Sequence, residues 1–144
     1  MKHIQPLVNM YHNAPINKIY SPKLTIKEIG KAIISYTINP DHFHAAGFLH
    51  GSAIFKLLDD SAFFAAQSIE QEFFIVTASY NSHFIRPVND GKLTGLGQII
   101  ETTKSQIIAE SRIENESGKL IAHGNGIFMK STTPISSLNT ESPK

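Results

Sequence analysis

Two rhythms of hydrophobic and polar positions run along this chain. From Ser52 to about Ser68 there is no Pro or Gly and much Ala and Leu, and Gly51-Ser52 stand ahead as a helix start, so this stretch predicts the one long helix. At about 100° per residue, Ile54, Leu58, Ser61, Ala62 and Ala65 share one buried arc, with Leu57 and Ala66 at its edges. Much of that arc is small, so another backbone can approach it closely. The remaining apolar segments are β-branched and interrupted: Ser21 to Ile29 and Lys31 to Ile38 around Gly30, Phe73 to Ile85, Lys92 to Glu101, Ser105 to Glu114, and Lys119 to Lys130. Turn residues such as Asn39-Pro40-Asp41 and Asn115-Glu116-Ser117-Gly118 bound them, and they read as strands. In Phe73 to Ile85, alternation puts Val76, Ala78, Tyr80 and Ser82 on one side and Ile75, Thr77, Ser79 and Asn81 on the other.

Before these elements, Ile4, Leu7, Val8 and Tyr11 recur at helical spacing until Asn13-Ala14-Pro15, which predicts a short leading helix within residues 1–20. Residues 132–144 contain almost nothing apolar and are expected to form a flexible tail, leaving 21–131 as the domain. The order of elements predicts an α+β domain: one long central helix wrapped by a curved antiparallel sheet of about five to six strands. Such a sheet leaves edges open, and pairing with a second copy of the chain is the natural way to cover one.

Composition narrows the function. A chain of 144 residues suits a single core. Net charge is +1 and Arg86 and Arg112 are the only arginines, so no nucleic-acid footprint is expected. Without cysteine there is no disulfide, thiolate metal site or cysteine nucleophile. The apolar runs are too short to span a bilayer, so the expectation is a soluble, cytoplasmic protein without a membrane partner. His42, His44, His50 and Asp59 have metal-binding side chains, but no helix sets them at ligand spacing; no metal and no cofactor are expected.

The adjacent carboxylates on the long helix invite chemistry. Asp59 falls beside Phe55, Phe63 and Ala66 at the margin of the buried arc, where a carboxylate loses hydration. Asp60 points away near Lys56, the spacing of a solvated helix pair. A bond from Asp59 to a neighbouring loop and a catalytic role both fit this pattern.

His50-Gly51-Ser52 followed by Leu57-Leu58-Asp59 resembles the His-Gly-Gly and later Asp of the hotdog-fold thioesterases, in the branch of phenylacetate-degradation-type acyl-CoA thioesterases. Phe84-Ile85-Arg86-Pro87-Val88 and Gly118-Lys119-Leu120-Ile121-Ala122-His123-Gly124 extend the similarity across the domain. The resemblance implies a hotdog fold and hydrolysis of an acyl- or aryl-CoA, or acyl-carrier-protein, thioester. It makes Asp59 the general base or nucleophile, the Gly51 N–H the oxyanion donor, and Thr77 the residue that holds water or carboxylate. His44 stands where relatives carry an amide, and can still donate one N–H. His50 is expected to order the loop, and Ser52 replaces the second glycine. Ser52, Phe55, Phe63 and Arg86 are the candidate substrate contacts, Phe55 and Phe63 having a core role as their alternative.

A hotdog hydratase or dehydratase, pairing His42 or His44 with Asp59 or Asp60, remains a second reading, and a non-catalytic acyl-binding module a third. Gly51 and Asp59 lie about 12 Å apart along one helix axis, too far for a single short carboxylate to serve a carbonyl held at Gly51. The expected assembly is therefore a homodimer, or a dimer of dimers forming a homotetramer, with the site shared between chains.

Overall fold

The computed structural model describes residues 2–143; Met1 and Lys144, the outermost residues of the expected leading segment and tail, lie outside the described residues. Helices α1 (Ile4–Asn13) and α2 (Asn17–Tyr20) lead into a hairpin of β1 (Lys23–Thr25) and β2 (Lys31–Thr37). The long helix α3 (Gly51–Gln67) follows, then β3 (Phe73–Phe84), β4 (Lys92–Thr102), β5 (Gln106–Glu114) and β6 (Leu120–Pro134). All pairings are antiparallel, in the order β1-β2-β4-β5-β6-β3. The sheet curls around α3 in the hotdog arrangement, as the sequence predicts, with six strands. The chain leaves α3 for the far edge, β3, then crosses to β4 and returns strand by strand to β3.

The small residues of α3 decide how closely it sits in this sheet. Gly95 and Gly97 occupy the inner face of β4, and a methyl group at Gly97 would overlap the Ser61 carbonyl of α3. The Ser61 hydroxyl turns back onto its own helix, donating to Leu57 O at 2.7 Å, which satisfies it where no water reaches. Ile34 and Tyr36 from β2, Ile113 from β5 and Phe128 from β6 fill the rest of the core.

Four details differ from expectation. Strand β1 covers only three residues of the segment Ser21 to Ile29. Helix α3 buries more than one arc: from Ser61 to Gln67 every residue is buried, because α1 covers the side turned away from the sheet, with Tyr11 edge-on to Phe64 at 4.9 Å between ring centroids. In β3 the pairing with β6 slips between Thr77 and Ser79, a β-bulge that reverses the alternation beyond it. Tyr80 therefore faces inward as Thr77 does, lying over Gly124 and Gly126 and reaching the Ser111 hydroxyl. The segment expected to be a flexible tail is docked instead. Residues 132–134 continue β6, Ile135 is buried, and the carbonyls of Asn139, Thr140 and Glu141 accept hydrogen bonds from Asn9 and Asn13 of α1. Backbone acceptors and one buried isoleucine hold a segment that composition alone marks as polar.

Gly97→Ala should lower stability by at least about 2 kcal/mol, because the clash is with helix backbone that cannot rotate away. Chemical denaturation measures this; a change under about 0.5 kcal/mol would show that α3 can move outward freely.

Candidate active site

Helix α3 starts at a residue with no side chain and a cap of unusual type. The N-cap is His50, one residue earlier than the expected Gly51-Ser52 start, and its Nδ1 accepts the Ser52 N–H at 2.9 Å. That bond assigns the ring proton of the neutral imidazole to Nε2. With Ser52 N–H satisfied, the Gly51 N–H has no acceptor among the described residues and lies at the positive end of the helix dipole. A Cβ at position 51 would lie 3.3 Å from the Phe84 ring, so glycine leaves this N–H open between the helix start and the end of β3.

The loop ahead of the helix is a tight hairpin, bridged between Phe43 and Leu49. His44 N–H donates to Phe48 O at 2.9 Å, and its Nδ1 accepts the Ala46 N–H at 3.0 Å. The exposed His44 ring therefore has its donor on Nε2. His42, by contrast, is tied to Tyr36 Oη at 2.6 Å and packs between tyrosines. Among the described residues, no group of three or more His, Asp or Glu side chains is gathered where it could hold a metal ion.

The two aspartates of α3 have different surroundings. Asp59 is half-buried and accepts from Thr77 Oγ1 at 2.9 Å through Oδ1. Burial pushes its pKa up to about 6; the Thr77 bond works against this, the Asp60 charge adds to it and Lys56 opposes it. Asp60 is not the solvated residue that helix phase suggests. Its Oδ2 lies 2.6 Å from Lys56 Nζ and accepts from Tyr11 Oη at 2.8 Å, with both ion-pair side chains largely covered. The physical reason is α1, which lies across this side of α3 and brings Tyr11 over it. Burial first, and the Asp60 charge second, raise the Tyr11 phenol far above its usual range.

Of the candidate substrate contacts, Phe63 lines a pocket of about 220 Å³ together with Asp59, Thr77 and Phe74. It also packs in the core against Phe64, Phe74 and Phe128, which is the core role given above as the alternative. Phe55 is partly exposed and stands edge-on to Tyr80 at 5.6 Å, outside that pocket. Ser52 is exposed beside His50, and Arg86 is exposed with its guanidinium on Leu120 O at 2.6 Å. A larger hollow of about 630 Å³ holds none of the candidate residues; Lys31, Glu110, Arg112 and His123 line it on the outer side of the sheet.

Sequence reasoning missed Tyr11 and Phe84 as neighbours of the site. Tyr11 shows only as one apolar position of a leading helix, and Phe84 only as part of a strand end. No spacing rule connects either to α3.

The chain resembles known proteins in sequence and in fold. The sequence pattern of the thioesterase superfamily matches residues 46–122, from the loop after His44 to the start of β6. A Saccharolobus solfataricus protein provisionally named an esterase is 25% identical over 111 residues, 77% of this chain and 79% of that one. In fold, the PaaI protein from the E. coli phenylacetic acid degradation operon has a TM-score of 0.81 at 22% identity, covering 90% of this chain and 96% of that one. A thioesterase family protein from Silicibacter pomeroyi has a TM-score of 0.81 at 17% identity, covering 88% and 96%.

The Asp59 shift makes a stability prediction whose sign is fixed. A carboxylate raised from 3.8 to about 6 binds its proton more tightly in the folded chain, so its contribution is fully present below about pH 4 and is lost as pH rises to about 6. Asp59→Asn should therefore be more stable than wild type at pH 8, by on the order of 1–3 kcal/mol, and equal to it near pH 4. Asp60→Asn should be less stable at pH 8, because Lys56 loses its partner. Thermal melts at the two pH values measure both; an Asp59→Asn gain that does not vary with pH would mean that this carboxylate is well solvated.

Proposed function

Because the chain belongs to the thioesterase superfamily, we propose that it hydrolyses the thioester of an acyl- or aryl-CoA, or of an acyl-carrier protein, to free acid and thiol. The observation that carries this reading is Asp59: a half-buried carboxylate fixed through one oxygen by Thr77, with its pKa raised to about 6. A base with a pKa near neutrality is ionised at working pH and still accepts a proton readily. Asp59 takes a proton from water as the water oxygen attacks the thioester carbonyl. The oxyanion formed is held by the Gly51 N–H, with His44 Nε2–H as a second donor. The carbonyl is restored as the C–S bond breaks, and the proton on Asp59 passes to the departing sulfur.

Gly51 and Asp59 serve different sites in this scheme. They lie on one unbroken helix, about 12 Å apart along its axis. A second copy of the chain, antiparallel across a two-fold axis, supplies the missing half. Support comes from the long β3 edge, which among the described residues pairs only on its β6 side, and from the exposed Val76, Phe84 and Ile85 on and just beyond it. His50 positions the helix start, and Thr77 positions Asp59.

Thiol release from acyl-CoA substrates tests the activity, and loss of release in Asp59→Asn assigns the base. Wild-type kcat/KM should rise with pH to a plateau, with a midpoint near the raised Asp59 pKa of about 6. Asp60→Asn should stay active and move that midpoint lower, because removing Asp60 takes away a charge that disfavours the Asp59 carboxylate. An unmoved midpoint would detach the profile from Asp59. The shared site is tested by mixing Asp59→Asn with Gly51→Pro, which removes the N–H at a position where helices tolerate proline. Each alone should be nearly inactive; random exchange should return roughly a quarter of wild-type activity, since half the dimers are hybrids with one intact site of two. Subunit exchange proven by mass spectrometry, with no activity returned, would overturn the shared site.

A further inference from the structure

The pocket beside Asp59 has a wall that the family pattern does not include. That pattern begins at residue 46, whereas Met10, Tyr11, Ala14 and Ile16 all line the 220 Å³ pocket from the leading segment. Facing them are Phe63, Phe64 and Phe74, while Lys56, Asp59, Asp60 and Thr77 give the lining its polar part. The leading segment is fastened at several points. Tyr11 Oη donates to Asp60, Lys56 Nζ lies 5.4 Å from the centre of the Tyr11 ring, and Asn17 Nδ2 holds Tyr11 O at 2.7 Å. The wall is thus set at a fixed distance from the carboxylate.

We propose that this segment selects the acyl group, with Met10, Ala14 and Ile16 limiting its length; the inference rests on the hydrolase reading and names its substrate class. With the carbonyl at Asp59, the acyl chain enters the pocket and ends against the leading segment. Among the described residues, its polar lining leaves no free cation for an acidic acyl group: Lys56 is paired with Asp60, and Asp59 repels a second carboxylate. The acyl group is therefore uncharged and apolar. An apolar cavity of about 150 Å³ holds benzene. The present one accordingly takes a ring with a short tether, or a linear chain of about six to eight carbons. Ala14 is the smallest side chain of this wall, so its replacement changes the available depth most directly.

The test is thiol release from straight-chain acyl-CoAs of two to twelve carbons by wild type, Met10→Ala and Ala14→Phe, alongside calorimetric binding of the uncharged primary amides of the same lengths. Wild-type kcat/KM should peak at about six to eight carbons. Met10→Ala should move the peak to longer chains. Ala14→Phe should lower the octanoyl-to-butanoyl ratio of kcat/KM at least about tenfold, the scale at which hydrophobic pockets discriminate methylene groups. The amides should show the same order of preferred lengths. If wild type releases thiol but both variants, folded by their melting curves, keep its length profile, the wall is overturned and the hydrolase reading stands. If no thioester is cleaved, the hydrolase reading fails, and a shift of preferred amide length in either variant keeps the pocket. Absence of length dependence in both measurements overturns it.

Discussion

Backbone-to-backbone contact between α3 and β4 is the constraint on which the rest depends. Gly95 and Gly97 give the sheet no side chains where Ser61 presses against it, so the helix sits deep and the strands curl around it. Depth sets the height of everything α3 carries. It brings Asp59 level with Thr77 on β3, close enough for a 2.9 Å hydrogen bond, and places the helix start against Phe84 at the other end of the same strand. A wider separation would leave the carboxylate in water, with the pKa of an ordinary aspartate.

Position along the helix does not distinguish the two carboxylates; their neighbours do. Asp60 has a cation and a phenol on one oxygen, so its charge is compensated under α1. Among the described residues Asp59 has one hydroxyl and no cation in contact, and the nearby Asp60 adds repulsion. The chain holds one ionised group poorly, at the place where the proposed hydrolysis would gain from that poor accommodation. Such a group costs folding stability at neutral pH, and functional sites are where such costs collect.

The leading segment links stability to this site. Tyr11 closes the side of α3 that the sheet cannot reach, and the C-terminal residues in turn pack on α1, with Ile135 buried and backbone carbonyls on Asn9 and Asn13. Both ends of the chain therefore converge on one face of the domain. The opposite side of the sheet carries Lys31, Arg112 and His123 around an open hollow and contributes nothing to the carboxylate. The edge strand β3 holds Asp59 from within, through Thr77, and among the described residues its outer flank is unpaired, the flank on which the proposed dimer draws.

The rhythm of the sequence determined the kind of fold. A Gly-free Ala/Leu stretch against β-branched segments can form only one long helix and several strands, and the small arc of that helix required a backbone close by. It also put Asp59 at a buried margin, since helical phase is a local property. What lies beyond local phase was decided by tertiary structure. One extra residue in β3 turned Tyr80 inward beside Thr77, because a two-residue alternation has no memory across a bulge. Asp60 lost its water to a helix more than forty residues earlier in the chain, a neighbour that no spacing within α3 encodes. The polar C-terminal segment is ordered through its backbone carbonyls, which every sequence possesses and composition cannot rank. The Gly51 N–H is open because His50 caps Ser52 instead, and this depends on a rotamer and a hydrogen bond that only the folded loop selects.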